Sequence, residues 1–379
     1  MKEIRFGIVG LGLMGREFAS AAARWIHLQD VDFRPVITAI CDTNEQSFIW
    51  FRDSIPSLTF STTDYRQLLA RDDVDAVYCA VPHNLHDGIY TDIVEAGKHL
   101  LGEKPFGIDL VANKKILGAI AAKPQLVVRC SSELPFYPGG MAIVKALGEK
   151  DFGRIVEVEA GLLHSSDLNP EKPINWKRMV EFNGEYGCMG DLGMHVLHIP
   201  LRLGWMPQYV HAQLSKIVTE RPDVQGKRVA CETWDNATIY GEVNAPGKDH
   251  KFPITFHTKR IAPGEVNTWF LKIIGTRCSI SYSTKFPKTL KLMEYEPGGP
   301  QAWKHIDLGY ESAYPTITGS IFEFGFTDSI LQMWAAYCDE VAHGREGMKQ
   351  PFYCVTPDET HQSHQIFTAA LRDHKVSTR

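Results

Sequence analysis

Three side chains of this sequence have the types and spacing for proton handling. Lys104 stands in Gly102-Glu103-Lys104-Pro105-Phe106, directly after the apolar run Lys98-His99-Leu100-Leu101. Asp191 and His195 lie in Gly187-Cys188-Met189-Gly190-Asp191-Leu192-Gly193-Met194-His195. On a helix, residues spaced i and i+4 sit within reach of one hydrogen bond. A histidine oriented by a carboxylate transfers protons near neutral pH. A satisfied core pair is the plainer reading of the same spacing. His198, on the same helix face, makes a metal triad with Asp191 and His195 conceivable, but no further ligand types cluster nearby and no metal is expected.

The elements that must position these groups begin at Ile4-Arg5-Phe6-Gly7-Ile8-Val9, an apolar run passing into Gly10-Leu11-Gly12-Leu13-Met14-Gly15 and then Arg16-Glu17-Phe18-Ala19. Strand, G-x-G-x-x-G turn and helix make the cradle that a dinucleotide pyrophosphate requires. Gly10 permits the tight turn, Gly12 lets the backbone approach phosphate, and Gly15 lets the helix pack on the strand. The helix N-terminus offers N–H groups and partial positive charge to the anion. The next strand, Val36 to Cys41, closes on Asp42, whose carboxylate could accept both adenosine ribose hydroxyls and repel a 2′-phosphate. NAD is therefore expected in preference to NADP. The alternative for Asp42 is to cap the helix predicted from Asn44 to Arg52.

Strands and helices then alternate: Ser57 to Phe60, Asp64 to Ala70, Asp75 to Val81, Asp87 to Ala96, Lys98 to Leu101, Gly107 to Ala122 and Gln125 to Cys130. Such alternation predicts a parallel sheet with helices on both faces. Ligands bind at the carboxyl ends of its strands. Ala80-Val81-Pro82-His83-Asn84-Leu85-His86 stands at one such end, beside the place for a nicotinamide ribose; Asn84 is equally a candidate helix cap. At the next stands Glu103-Lys104, where an isolated lysine would be read as a solvated surface group.

From Gly153 the pattern changes to period-two alternation, first in Arg154 to Leu162 and then in Gln208–Val218, Thr233–Val243, Ile254–Lys259, Trp269–Ile274, Cys278–Ser283 and Leu290–Tyr295. These predict one large antiparallel sheet, with Asp328 to Val341 and Pro357 to His374 as closing helices. The expected architecture is α/β: an N-terminal doubly wound Rossmann domain over 1–130, and a C-terminal α+β domain over 131–379 with a large, mostly antiparallel open sheet. Trp269, Ile273 and Phe256 are expected on the sheet's bare face, as a subunit contact in a homodimer or homotetramer.

A chain of 379 residues, 44% hydrophobic and 22% charged, with a net charge of −5, has the size of about two globular domains and no basic excess. Nucleic acid and anionic membrane are not expected partners. Eight scattered cysteines without a C-x-x-C pair read as buried thiols in a reducing compartment. The chain enters its first strand at once, leaving no secretion signal, and a cytoplasmic location is expected.

Taken together, the Gly10-x-Gly12-x-x-Gly15 turn, Pro82 through His86, Glu103-Lys104-Pro105 and Asp191-x-Gly193-x-His195 resemble the Gfo/Idh/MocA oxidoreductases over nearly the whole chain. The resemblance implies hydride transfer between a nicotinamide and a secondary alcohol of a sugar, cyclitol or sugar derivative. Lys104 and His195 would be catalytic with Asp191 assisting. Gly10 to Gly15, Asp42, Ala80 to Asn84, His86, Glu103, Lys104 and Trp176 would meet the cofactor, and Asn175, Tyr186, Lys104, Asp191 and His195 the substrate. Gly187-Cys188-Met189-Gly190 departs from the glycine run usual in the family, and His83 is unusual after Pro82. Transient oxidation that permits glycoside elimination, or a non-catalytic NAD sensor, are the alternative functions on such a fold.

Overall fold

The apolar run near the N-terminus forms β1 (Lys2–Val9), whose last four residues are all buried, as a strand covered on both faces must be. It is joined by β2 (Phe33–Cys41), β3 (Phe60–Thr62), β4 (Ala76–Cys79), β5 (His99–Gly102) and β6 (Val128–Cys130) in a parallel sheet of order β3-β2-β1-β4-β5-β6. The connecting helices are α1 (Leu13–Ala23), α2 (Phe48–Ser54), α3 (Tyr65–Leu69), α4 (His86–Glu95) and α5 (Leu110–Ala121). Strand order reverses between β1 and β4, which opens a crevice at the carboxyl ends of the strands. This is the doubly wound sheet expected from the sequence. The computed structural model describes residues 1–309, 312–319 and 321–377.

The second sheet is fed by α6 (Pro138–Glu149), α7 (Val180–Asn183) and α8 (Cys188–Arg202). Its strands are β7 (Ile155–Leu163), β8 (Val210–Ser215), β11 (Asn236–Asn244), β12 (Lys251–Lys259), β13 (Thr268–Gly275), β14 (Cys278–Ser283), β15 (Thr289–Glu294) and β16 (Lys304–Asp307), while β9 (Glu220–Pro222) and β10 (Arg228–Ala230) form a separate hairpin. The order is β16-β15-β14-β13-β7-β12-β11-β8, antiparallel throughout except where β7 and β12 run parallel.

One expectation is overturned here. Trp269, Ile273 and Phe256 are all buried, on the face that α8 covers. Period two leaves Tyr240, Thr255, His257, Phe270, Lys272 and Ile274 on the other face. Alternation gives the two sets of residues but not the side a helix will take, and α8, buried along nearly its whole length, takes the more apolar one.

The linear domain boundary also changes. α9 (Phe326–His343) packs on the first sheet, with Trp334 set against Phe18, Phe6 and Tyr78 at ring-centroid distances of 3.6, 5.6 and 4.8 Å. One unit is therefore Met1–Gly107, Val111–Phe136 and Glu311–Thr360; the other is Ile108–Leu110, Tyr137–Tyr310 and His361–Arg379. α10 (Pro357–Ser377) closes the described chain. Among the described residues no helix is long and apolar enough to cross a membrane.

Candidate active site

In the first unit, Gly10 has φ of 93°, and a Cβ there would stand 2.3 Å from the Ala80 carbonyl oxygen. A Cβ on Gly15 would stand 2.4 Å from the Gly10 carbonyl oxygen. A Cβ on Gly12 would meet nothing within 4 Å. The turn is thus packed behind Gly10 and Gly15 and open in front of Gly12, which begins α1 without a side-chain cap. Leu11 is buried beneath the turn, while Leu13 is exposed and Met14 half-buried at the start of α1. Asp42 does two jobs: Oδ2 accepts the Leu11 N–H at 2.8 Å and Oδ1 accepts the Asn44 N–H at 2.9 Å. It remains partly exposed at the end of β2. An open glycine backbone, a helix N-terminus and a carboxylate on the next strand suit pyrophosphate and adenosine ribose together.

At the end of β4, the His86 ring is fully buried, with Nδ1 2.6 Å from the Pro105 carbonyl oxygen and Nε2 3.0 Å from that of Val81. It also stacks on Tyr90 at 4.6 Å. The neutral imidazole carries one N–H and donates to one of these two carbonyls, while the buried ring packs between the turns after β4 and β5. Burial pushes its pKa down to about 4. The neutral ring of the folded state thus makes a stability contribution that is complete above pH ~6.5 and fades as pH falls toward ~4. At pH 5 the wild-type chain is expected to lose about 2 kcal/mol relative to neutral pH from this group, and His86→Phe to lose that dependence. Urea unfolding at the two pH values measures it.

Asn84 does not cap α4, whose N-cap is Leu85, and its buried Oδ1 has no hydrogen-bond partner among the described residues. Ala80, Val81 and Pro82 are half-buried at the crevice and His83 is buried. Glu103 is turned into the core, where Oε1 accepts the Tyr78 hydroxyl at 2.7 Å and its carbonyl accepts the Tyr90 hydroxyl at 2.7 Å. That carboxylate anchors the strand end, and Lys104, half-buried, follows it.

In the second unit, α8 carries both Asp191 and His195, as their spacing implies. Two cations meet this carboxylate: Lys177 Nζ lies 3.0 Å from Asp191 Oδ1, and the Arg260 guanidinium is paired with Oδ2. A buried carboxylate needs countercharge, and these two cations supply it. Behind this pair, Arg178 bridges Asp235 at 2.6 Å and Asp167. Burial alone would raise the Asp167 carboxyl, yet Arg178 and Arg260 hold it below its ordinary value. Burial, and next the charge of Arg178, push Arg260 down to about 10. The His195 carbonyl accepts the Trp269 indole N–H at 2.9 Å, which pins α8 to β13. At Gly193 a Cβ would stand 2.4 Å from the Phe367 ring, so the glycine admits α10.

The remaining candidates divide. Asn175 Oδ1 accepts the Lys177 N–H at 3.0 Å and so caps the short helical turn Trp176–Arg178, and Lys177 lies 5.5 Å over the half-buried Trp176 ring. Tyr186 is a core residue: its hydroxyl is 2.7 Å from Thr368 Oγ1, and its ring meets His364 and Phe367 edge-on. Sequence reasoning missed Lys177 and Arg260 as the partners of Asp191, and Glu133, a buried carboxyl three residues past β6. Their only sequence signal is a charge at a strand or turn end, which does not name its partner.

Residues 4–131 match the Gfo/Idh/MocA family model, an oxidoreductase family with an NAD-binding Rossmann fold. The match covers the parallel sheet from β1 to β6 and the helices between its strands. The open turn at Gly12 and the carboxylate at Asp42 fit the NAD that this family's Rossmann fold binds. A curated relative, levoglucosan dehydrogenase from Pseudarthrobacter phenanthrenivorans, is 27% identical over 225 residues, covering 59% of this chain and 56% of its own length. The chain thus spans just over half the length of the first curated relatives it matches. Likeness to solved structures extends over the whole fold. An oxidoreductase domain protein from Kribbella flavida superposes with a TM-score of 0.87 at 20% identity, covering 100% of this chain and 98% of the other. Levoglucosan dehydrogenase in complex with NADH and levoglucosan does so with a TM-score of 0.85 at 22% identity, covering 99% and 98%.

Proposed function

We propose that this protein is a Gfo/Idh/MocA-type NAD-dependent dehydrogenase that exchanges a hydride between a secondary alcohol of a sugar, cyclitol or sugar derivative and the nicotinamide. The reading rests on two proton-handling groups, each on a rigid support of its own unit: Lys104 just past the carboxyl end of β5, and His195 on the buried helix α8. The substrate class follows the curated relative, a levoglucosan dehydrogenase.

Bound NAD supplies the hydride acceptor. His195 takes the hydroxyl proton as general base, and the Lys104 ammonium donates to the same oxygen and stabilises its developing negative charge. Asp191, one helical turn before His195, is held as a carboxylate by Lys177 and Arg260 and favours the imidazolium that forms. Gly10 to Gly15 hold the pyrophosphate and Asp42 the adenosine ribose. Ala80 to Asn84 border the nicotinamide ribose, and Trp176 and Asn175 border the bound ligands. His86, Glu103 and Tyr186 support these groups from the core.

A panel of sugars, anhydrosugars and cyclitols, with NAD and NADP in turn and the absorbance of reduced nicotinamide as readout, tests the reading. Net NADH formation with at least one of them supports it; product formation without net NADH contradicts it and favours transient oxidation with elimination. Asp42→Asn keeps the acceptor for the Leu11 N–H but removes the charge. The ratio of NADP to NAD affinity, measured by fluorescence titration, is expected to rise by about tenfold or more.

The sheet face carrying Tyr240, His257, Phe270 and Ile274 is the proposed contact between copies in a homodimer or homotetramer, replacing the buried set expected first. All eight cysteines are buried and unbridged, in keeping with a cytoplasmic protein.

A further inference from the structure

In the second unit, the connection from β7 to the helical turn carrying Lys177 runs over residues 164–175 without strand or helix. A loop that long inside a compact unit must find partners for its backbone groups. One side chain meets three of its carbonyls. Arg221 of β9 is almost wholly buried, with Nη1 2.7 Å from the Asn169 carbonyl oxygen and 3.3 Å from that of Lys172, and with Nη2 donating to that of Asp167. A guanidinium, planar and with five N–H donors, can hold three carbonyls in fixed directions, which the compact ammonium of a lysine does not reproduce. The strand that bears it also pairs with the loop, because the Ile174 N–H donates to the Pro222 carbonyl oxygen at 2.8 Å. Arg228 of β10 adds the Pro170 carbonyl oxygen at 3.3 Å and the Glu171 carboxylate. Just past the hairpin, the Thr233 hydroxyl donates to the Lys177 carbonyl oxygen at 2.9 Å. The loop is thus tied along its length to the β9–β10 hairpin and the residues that follow it, and its far end sets the Lys177 ammonium 3.0 Å from Asp191 Oδ1.

We propose, on the reading of Asp191 and His195 given above, that the β9–β10 hairpin is a strap and Arg221 a positioning residue for the reaction: by tying residues 167–172 it holds Lys177 on the Asp191 carboxylate. Arg221 meets backbone carbonyls of the loop, and its effect on turnover passes through Lys177. The hairpin stands outside the eight-stranded sheet and adds no strand to it, so its contacts with the loop are what it contributes to this unit. A loop released from Arg221 samples many conformations, and the Lys177 ammonium then spends only part of its time on Asp191.

Two measurements on the whole protein keep the strap and the reaction apart. In hydrogen exchange read by mass spectrometry, without ligands, Arg221→Lys is expected to speed exchange of residues 174–179 by about tenfold or more, while peptides from β13 and β14 keep wild-type rates. In steady-state kinetics with a substrate from the sugar and cyclitol panel, Arg221→Lys is expected to lower kcat about tenfold and to leave the KM for NAD close to that of the wild type. Lys177→Met is expected to lower kcat at least as much, and adding Arg221→Lys to it should lower kcat no further, because the two changes remove the same contact. Unchanged exchange in the loop, exchange quickened equally across the unit, or losses that multiply in the double variant overturn the assignment. If Arg221→Lys does not fold, Arg228→Gln releases the outer tie at an exposed position; quickened exchange of residues 169–174 with a lowered kcat supports the strap, and wild-type values of either overturn it. A wild type that reduces NAD with no member of the panel refutes the proposed reaction, and the exchange result alone then decides whether Arg221 holds the loop.

Discussion

Replacing His195 by alanine is expected to lower turnover by ~10²–10⁴-fold, the usual contribution of a positioned general base. Affinity for NAD should stay close to that of the wild type, because the glycine turn and Asp42 lie in the other unit. The Trp269 indole bonds the backbone carbonyl of His195 and not its ring, so removal of the imidazole leaves this support of α8 intact. Lys104→Met is expected to reduce turnover by ~10²–10³-fold, the usual effect of removing one donor from a developing oxyanion. Steady-state kinetics alongside direct NAD titration separate this outcome from a loss of cofactor binding. Activity within a few-fold of wild type in either variant contradicts the assignment.

The largest expected effect on stability lies at Arg178. Its guanidinium is fully buried and bridges Asp167 and Asp235. Asp235 in turn accepts the backbone N–H groups of Ile217 and Val218 at 2.7 and 3.0 Å, which holds the turn after β8. Arg178→Met leaves two carboxylates without their main countercharge in the interior. Breaking a buried pair from one side costs about 3–5 kcal/mol, more than the intact pair contributes relative to apolar residues. Arg178→Met is expected to fall in that range by urea unfolding. The double variant Arg178→Met with Asp235→Asn should cost less than the sum of the singles, because the second change removes one stranded charge. Additive losses would mean that the groups act independently.

Much of the nucleotide unit was legible because its signals are local. The apolar runs, the glycine spacing and the strand ends at Asp42, Pro82 and Lys104 each lie within a few residues of what they predict. The helical i, i+4 placement of Asp191 and His195 was legible for the same reason. What the sequence withheld was long-range. Arg260 stands at the end of β12 and reaches Asp191 only because α8 covers that sheet. α9 returns to the first sheet by packing Trp334 on Phe18, which no spacing within the helix announces. Trp269, Ile273 and Phe256 lie on the covered face, and alternation alone does not say so, because it gives two equivalent faces until a helix chooses one. Tyr186 and His86 have the chemistry of ligand contacts, and their burial among Thr368, His364, Pro105 and Val81 makes them supports instead.

Transfer of label tests the central proposal most directly. With a carbon-deuterated substrate from the sugar and cyclitol panel and unlabelled NAD, the reduced nicotinamide is collected and its C4 position analysed by mass spectrometry. Deuterium at C4 in the wild type, and its loss with turnover in His195→Ala and Lys104→Met, is the expected result. Substrate conversion with no deuterium in the recovered nicotinamide, or label transfer undiminished in both variants, would contradict it.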